Sequence, residues 1–251
     1  MRLSTLLEAR TWYVNSDVSF WTFTQEIERF AAKMKVVIAR GDRGADATRF
    51  ADLLLQAIEL WKAGCIEEQT GWAVENQPGE IWDAFRDALA HMDAGEDAKA
   101  LLAIMRLKGF GSSVDEDSRK QRAKRASAVL RIFNPKDWGV VDWRTAAMTW
   151  ALNEKKWDVP QALSLVKADS PTSKKAKGEW DEIDEVIAAE VLNARYRANR
   201  TASLPDAADV EMAVFGLSFE VWPVNMKVRD SVRQTYGNKL RGKLQALDGQ
   251  L

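Results

Sequence analysis

Two side chains stand out as able to do chemistry: Lys124, and Asp142 eighteen residues later. Asp142 precedes Trp143-Arg-Thr-Ala-Ala-Met-Thr-Trp150, whose apolar spacing predicts a helix, so its carboxylate falls at a helix N-cap. Such a carboxylate either simply accepts backbone N–H bonds, or also stabilises positive charge developing on a reactant or orients a nucleophile. Lys124 is either a solvated helix residue or an amine nucleophile. Arg122 and Arg125 on either side would lower its pKa by like-charge repulsion, as an amine nucleophile near neutral pH requires.

Many other chemistries are excluded by counting. Cys65 is the only cysteine and His91 the only histidine, so no internal disulfide, Cys/His zinc site or four-cysteine iron–sulfur cluster can be built. His91 lies in the helical run Ala88-Leu-Ala-His-Met-Asp93 and reads as a packed or half-exposed helix residue. Carboxylates, lysines and arginines remain, and no cofactor is expected.

The elements that must position these groups are helical. Apolar residues recur at helical spacing almost throughout, as in Phe50, Leu53, Leu54, Ala57, Ile58 and Trp61 along one face of 50–61. Similar stripes run through 81–91, 98–107, 126–133, 145–152 and 182–192, while 31–40 fits either a helix or a short strand. Turn signals fall at Gly41–Gly44, Gln77–Gly79, Gly109–Gly111, Asn134–Asp137 and Asp169–Pro171. The expected fold is all-α: a single unit over 1–251 of two helical lobes, with a cleft formed near residues 105–145. At 251 residues and 46% hydrophobic, the chain has ample material for a core.

The net charge of −1 does not advertise a polyanionic partner, but its distribution is uneven. Arg119-Lys-Gln-Arg-Ala-Lys-Arg125 carries five cations in seven residues, and Lys227–Lys243 holds six against Asp230 alone. No stretch approaches the ~20 apolar residues a membrane span needs. The opening Met-Arg-Leu-Ser-Thr-Leu-Leu-Glu has a charge where a signal peptide needs its apolar run. A cytoplasmic monomer with no membrane partner is expected.

Residues 100–145 carry the organising motif. Leu107-Lys-Gly-Phe-Gly111 ends one helix with Gly–apolar–Gly; Ala123–Phe133 forms the next; Asn134-Pro turns the chain; Gly139-Val-Val-Asp142 leads into a third. Two glycines permit a tight turn that brings backbone groups close to a DNA phosphate, directly or through a monovalent cation, without reading sequence. Over residues ~95–155 this pattern resembles the helix-hairpin-helix DNA glycosylase superfamily, in particular its 8-oxoguanine DNA glycosylase branch. Ala207–Gly216 resembles the closing helix of the same bacterial proteins. The stretch Ser112–Ala123 departs from the pattern by intervening between hairpin and lysine; Ser118 with Gln121 fits a capping box there.

The resemblance implies a protein that flips a modified base out of double-stranded DNA and cleaves its N-glycosidic bond. Asp142 would act at the sugar, and Lys124 would attack C1′ to give a Schiff base and lyase activity. Gly109, Phe110, Gly111, Arg122, Arg125 and Arg144 would contact DNA, with Trp138, Trp143 and Trp21 as candidate base-pocket aromatics. Most of the eleven tryptophans must nevertheless be core. The substrate is either an oxidised purine such as 8-oxoguanine, in repair, or a bulky hypermodified or glucosylated phage pyrimidine, in antiviral defence. Two other classes compete: a non-catalytic helix-hairpin-helix DNA-binding module, and a helical interaction protein with no nucleic-acid role.

Overall fold

A computed structural model describes residues 3–63, 73–110, 122–168, 185–223 and 227–251. Among them the chain is all-helical. The α-helices are α1 (Leu6–Ser16), α2 (Val18–Ala39), α3 (Ala45–Ala63), α4 (Pro78–Asp93), α5 (Asp97–Met105) and α6 (Arg122–Phe133). They continue with α7 (Trp143–Glu154), α8 (Val159–Ala168), α9 (Glu185–Ala198), α10 (Ala207–Ser218) and α11 (Lys227–Asp248). A 3-10 turn covers Ala73–Glu75, and one isolated bridge joins Thr201 to Leu204. The ambiguous 31–40 segment is the C-terminal half of α2, where Ala31, Met34 and Val37 are buried at helical spacing. No described helix is long and apolar enough to cross a membrane.

The chain divides into two compact units, each closed by a segment from the opposite end of the sequence. The first takes residues 1–17 and 134–225; the second takes 18–133 and 226–251. Each is organised around one helix buried nearly all round.

In the second unit that helix is α3, which packs against α2, α4, α6 and α11. Its expected stripe, Phe50 to Trp61, is buried, and so are Ala51, Leu55 and Leu60 on the remaining faces. Each buried Leu, Ile or Phe among them contributes roughly 1.5–3 kcal/mol. Glu59, in the middle of this apolar run, is 3% exposed and therefore needs partners.

The central helix of the first unit is α10, flanked by α1, α7 and α9. Its small residues let neighbours come close. Gly216 lies so near α1 that a Cβ there would sit 2.7 Å from the Ala9 carbonyl oxygen. Two carboxylates are buried on this helix: Asp209, paired with Arg10 at 3.1 Å, and Glu211. Nearby, α7 and α8 are joined by a turn with two successive non-glycine residues at positive φ, Lys156 (49°) and Trp157 (62°). The amide of Trp157 donates to the Leu152 carbonyl and that of Lys156 to Asn153, closing the last turn of α7. Asp158 then accepts the Gln161 N–H at 2.9 Å at the start of α8.

The tight α1–α10 approach yields a stability prediction. Gly216→Ala places a methyl against backbone that cannot swing aside, and should destabilise by about 1–3 kcal/mol. Urea unfolding of the variant checks this, since a midpoint equal to the unsubstituted protein's would show the helices can part at no cost.

Candidate functional site

The described part of the expected hairpin, the turn at 107–110, belongs to the second unit. After α5 ends at Met105, the Phe110 N–H donates to the Leu107 carbonyl at 3.0 Å, and Gly109 takes φ +76°, a conformation that favours glycine. Leu107 and Phe110 turn inward and are almost fully buried, so the turn itself offers backbone and the exposed Lys108. Phe110 is thus a buried anchor of this turn. Gly111 lies outside the described residues, as do the Ser118–Gln121 capping box, the 169–171 turn and Cys65.

Two residues that the sequence did not single out hold this turn. Asn76 accepts the Lys108 N–H on Oδ1 at 2.8 Å and donates from Nδ2 to the Lys108 carbonyl at 3.2 Å, gripping both backbone groups of one residue. Buried Glu59 accepts the Ala73 N–H at 2.8 Å and pairs with Arg125 at 3.0 Å. The same Nη1 of Arg125 approaches the Gly109 carbonyl at 3.4 Å. Arg125, expected at DNA, therefore has its guanidinium directed to Glu59 and the hairpin backbone. A charged residue at the centre of Ile58-Glu-Leu60 was a legible signal for Glu59; Asn76 carried none.

Lys124 lies half-buried on α6, in the same unit as the 107–110 turn. Arg122 begins that helix. Trp21, on α2 of this unit, is half-buried.

Asp142 belongs to the first unit and is 5% exposed. It is the N-cap of α7. Its Oδ1 accepts the N–H groups of Arg144 at 2.9 Å and Thr145 at 3.2 Å, while Thr145 Oγ1 accepts the Asp142 N–H at 3.0 Å. The reciprocal pair is a capping box with threonine in the place usually held by Glu or Gln. Arg144 donates to the Trp222 carbonyl at 2.8 Å, and its guanidinium lies over the rings of Trp143 (5.3 Å) and Phe219 (5.6 Å). Trp143 also meets Trp222 edge-on at 5.1 Å. Arg144 and Trp143 are thus gathered beside Asp142 at the start of α7, whereas Trp138, at 1% exposure, is a core residue of this unit.

The segment leading to Asp142 runs against α9 and α10. Gly139 has no room for a side chain, because a Cβ would lie 2.5 Å from Glu211 Cβ and 2.8 Å from Tyr196 Cδ2. Buried Asn193 accepts the Gly139 N–H at 2.8 Å. Tyr196 is fully buried, with its hydroxyl near the Val140 carbonyl (3.5 Å) and beside the hydroxyls of Thr145 and Thr149. Burial pushes its phenol pKa well above the ordinary tyrosine value, and the carboxylates of Glu211 and Asp142 push it further. Buried hydroxyls and the enclosed Glu211 thus lie beside the segment that delivers Asp142.

Among the described residues, no cluster of three or more His, Cys, Asp or Glu could hold a metal ion. No protein-family model matches the chain, and neither does any curated protein or solved structure.

Tyr196 gives a pH prediction with a definite sign. A phenol whose folded pKa is raised keeps its proton in the native state after the unfolded chain has lost it. Its contribution to stability is complete below the ordinary value of 10.0 and is lost as pH rises beyond it. Stability measured from pH 8 to about 12 should fall, and Tyr196→Phe should flatten that fall. Phenolate absorbance for Tyr196 is expected only with unfolding; its appearance in folded protein near pH 10 would contradict the burial.

Proposed function

We propose that the chain is a DNA glycosylase in which Asp142 opposes the positive charge that develops at a sugar C1′ as a modified base departs. The observation that carries this reading is a carboxylate held at the start of α7 while only 5% exposed. An N-cap contributes roughly 1 kcal/mol, and Asn or Ser would cap as well as Asp. Enclosing a charged carboxylate costs several kcal/mol, of which a helix dipole returns about 0.3–2 kcal/mol. The cap accounts for the residue's position, and in this proposal its charge serves the chemistry. An enclosed negative charge is best used against a cation formed beside it, where low local dielectric strengthens the attraction.

The hairpin supports the same reading. A Gly109 turn locked by Asn76, Glu59 and Arg125 presents a rigid stretch of backbone of the kind that positions a DNA strand by its phosphates. In this proposal Lys124, on the helix following the hairpin, supplies the amine that attacks C1′, and double-stranded DNA containing a modified base is the substrate. The substrate is assigned to two classes, oxidised purine and bulky hypermodified or glucosylated pyrimidine, and a panel of both distinguishes them.

Incubation with duplexes carrying each class and with modified phage genomic DNA should release free base and leave abasic sites. Asp142→Asn keeps the cap and removes the charge, so it should lower excision about a hundredfold or more while DNA affinity stays near that of the unsubstituted protein. Undiminished turnover in this variant would remove Asp142 from the chemistry. Tight, salt-dependent binding with no base released across the panel would instead identify a binding module.

Lys124 has its own readout. Borohydride should trap a covalent protein–DNA adduct by reducing the Schiff base, and Lys124→Gln should lose both trapping and most base release. Trapping that persists in Lys124→Gln would transfer the amine role to another lysine, such as Lys120.

A further inference from the structure

We propose that Asn193 and Tyr196, one helical turn apart on α9, are the positioning residues of Asp142, holding the segment that carries it from outside that segment. The inference rests on the reading of Asp142 as the acting carboxylate.

Residues Gly139 to Asp142 form no helix or strand, so their backbone groups must find partners elsewhere and their path is fixed only as well as those partners fix it. Two of those partners lie on α9. Asn193 accepts the Gly139 N–H at 2.8 Å and donates its own amide to the Ala189 carbonyl at 2.9 Å, which sets which way the side chain faces. Tyr196 lies three residues on. Its ring closes over Gly139 so tightly that a Cβ would meet it at 2.8 Å, and its hydroxyl reaches the Val140 carbonyl at 3.5 Å. That hydroxyl also lies beside Thr145, the residue whose Oγ1 completes the capping box with Asp142. The two α9 side chains therefore engage the segment at its first residue, its second, and the threonine that receives its end.

A purely structural tyrosine would not need its hydroxyl. Phenylalanine fills nearly the same volume in a core without the cost of burying a polar group. Here the buried hydroxyl faces the segment and the α7 cap. A carboxylate opposing a transient cation must be held to a fraction of an ångström, because a displacement of about 1 Å can cost a hundredfold in rate. The capping bonds fix Asp142 relative to α7 alone; Asn193 and Tyr196 fix the approach to it.

The test uses the full-length protein with Tyr196→Phe and Asn193→Ala, each checked for folding by circular dichroism. If Tyr196→Phe does not fold, Asn193→Ala, which removes the Gly139 partner and leaves the phenol in place, decides alone. Base excision and the titration of the Asp142 carboxyl, followed by carbon NMR of labelled aspartate and assigned through Asp142→Asn, are both read. The expected result is a kcat lowered about ten- to a hundredfold at unchanged KM, with the Asp142 titration midpoint displaced. Unsubstituted kcat in the folded variants overturns the proposal. So does a loss of kcat and DNA affinity together with an unmoved Asp142 titration, which is plain loss of structure. Should the unsubstituted protein excise nothing from any duplex, the glycosylase reading fails and the carboxyl titration decides this inference alone. A displaced midpoint then supports positioning, and an unmoved one overturns it.

Discussion

A carboxylate taken out of water dictates much of the local design in the first unit. Asp142 has lost most of its hydration, and the α7 amides of Arg144 and Thr145 replace part of it. Those bonds form only if the chain enters α7 along one path, which places demands on the residues before it. Gly139 is required because Glu211 and Tyr196 leave no space for a Cβ. Asn193 is required because the Gly139 N–H is buried and must be bonded. The central helix α10 in turn can pass this close only where its neighbours are small. Burial of one charge thus propagates through α7, α9 and α10 as a sequence of steric and hydrogen-bonding requirements.

The second unit solves a similar problem with the roles reversed. There the enclosed carboxylate is Glu59, and it satisfies a backbone amide at Ala73 and the guanidinium of Arg125, which itself reaches the Gly109 carbonyl. Breaking such a buried pair by removing one partner typically costs 3–5 kcal/mol, since the other charge is left stranded. The turn at 107–110 is thereby tied to the central helix α3 and to α6. The turn is bonded at Lys108 and Gly109 from two directions, which holds its backbone in place. Glu59 has both its oxygens in structural bonds, and Oδ1 of Asp142 accepts two amides of α7.

What the sequence made legible were features with a local cause. The stripe from Phe50 to Trp61 announced a buried helix, the run after Asp142 announced its cap, and Leu107-Lys-Gly-Phe announced the turn. Residues whose role depends on distant partners were not legible. Asn76 grips Lys108 across thirty-two positions, and Asn193 grips Gly139 across fifty-four; neither has any mark in its own neighbourhood. Arg125 looked like one more cation in a basic run, and only its pairing with Glu59 shows it turned to the fold. Trp138 looked like a pocket aromatic because of its closeness in sequence to Asp142, yet it is core. The 31–40 segment was ambiguous because its β-branched residues suit either structure, and packing of Met34 and Val37 in α2 decided it.

The most direct measurement is the unfolding free energy of Asp142→Asn and Asp142→Ala beside the unsubstituted protein, by urea titration at neutral pH. If the charge is held for chemistry and the cap for structure, Asn should match or exceed the unsubstituted stability, while Ala, which loses the cap, should fall by about 0.5–2 kcal/mol. A loss in Asp142→Asn as large as that in Asp142→Ala would mean the negative charge itself stabilises the fold, and the case for Asp142 as a reacting carboxylate would lose its foundation.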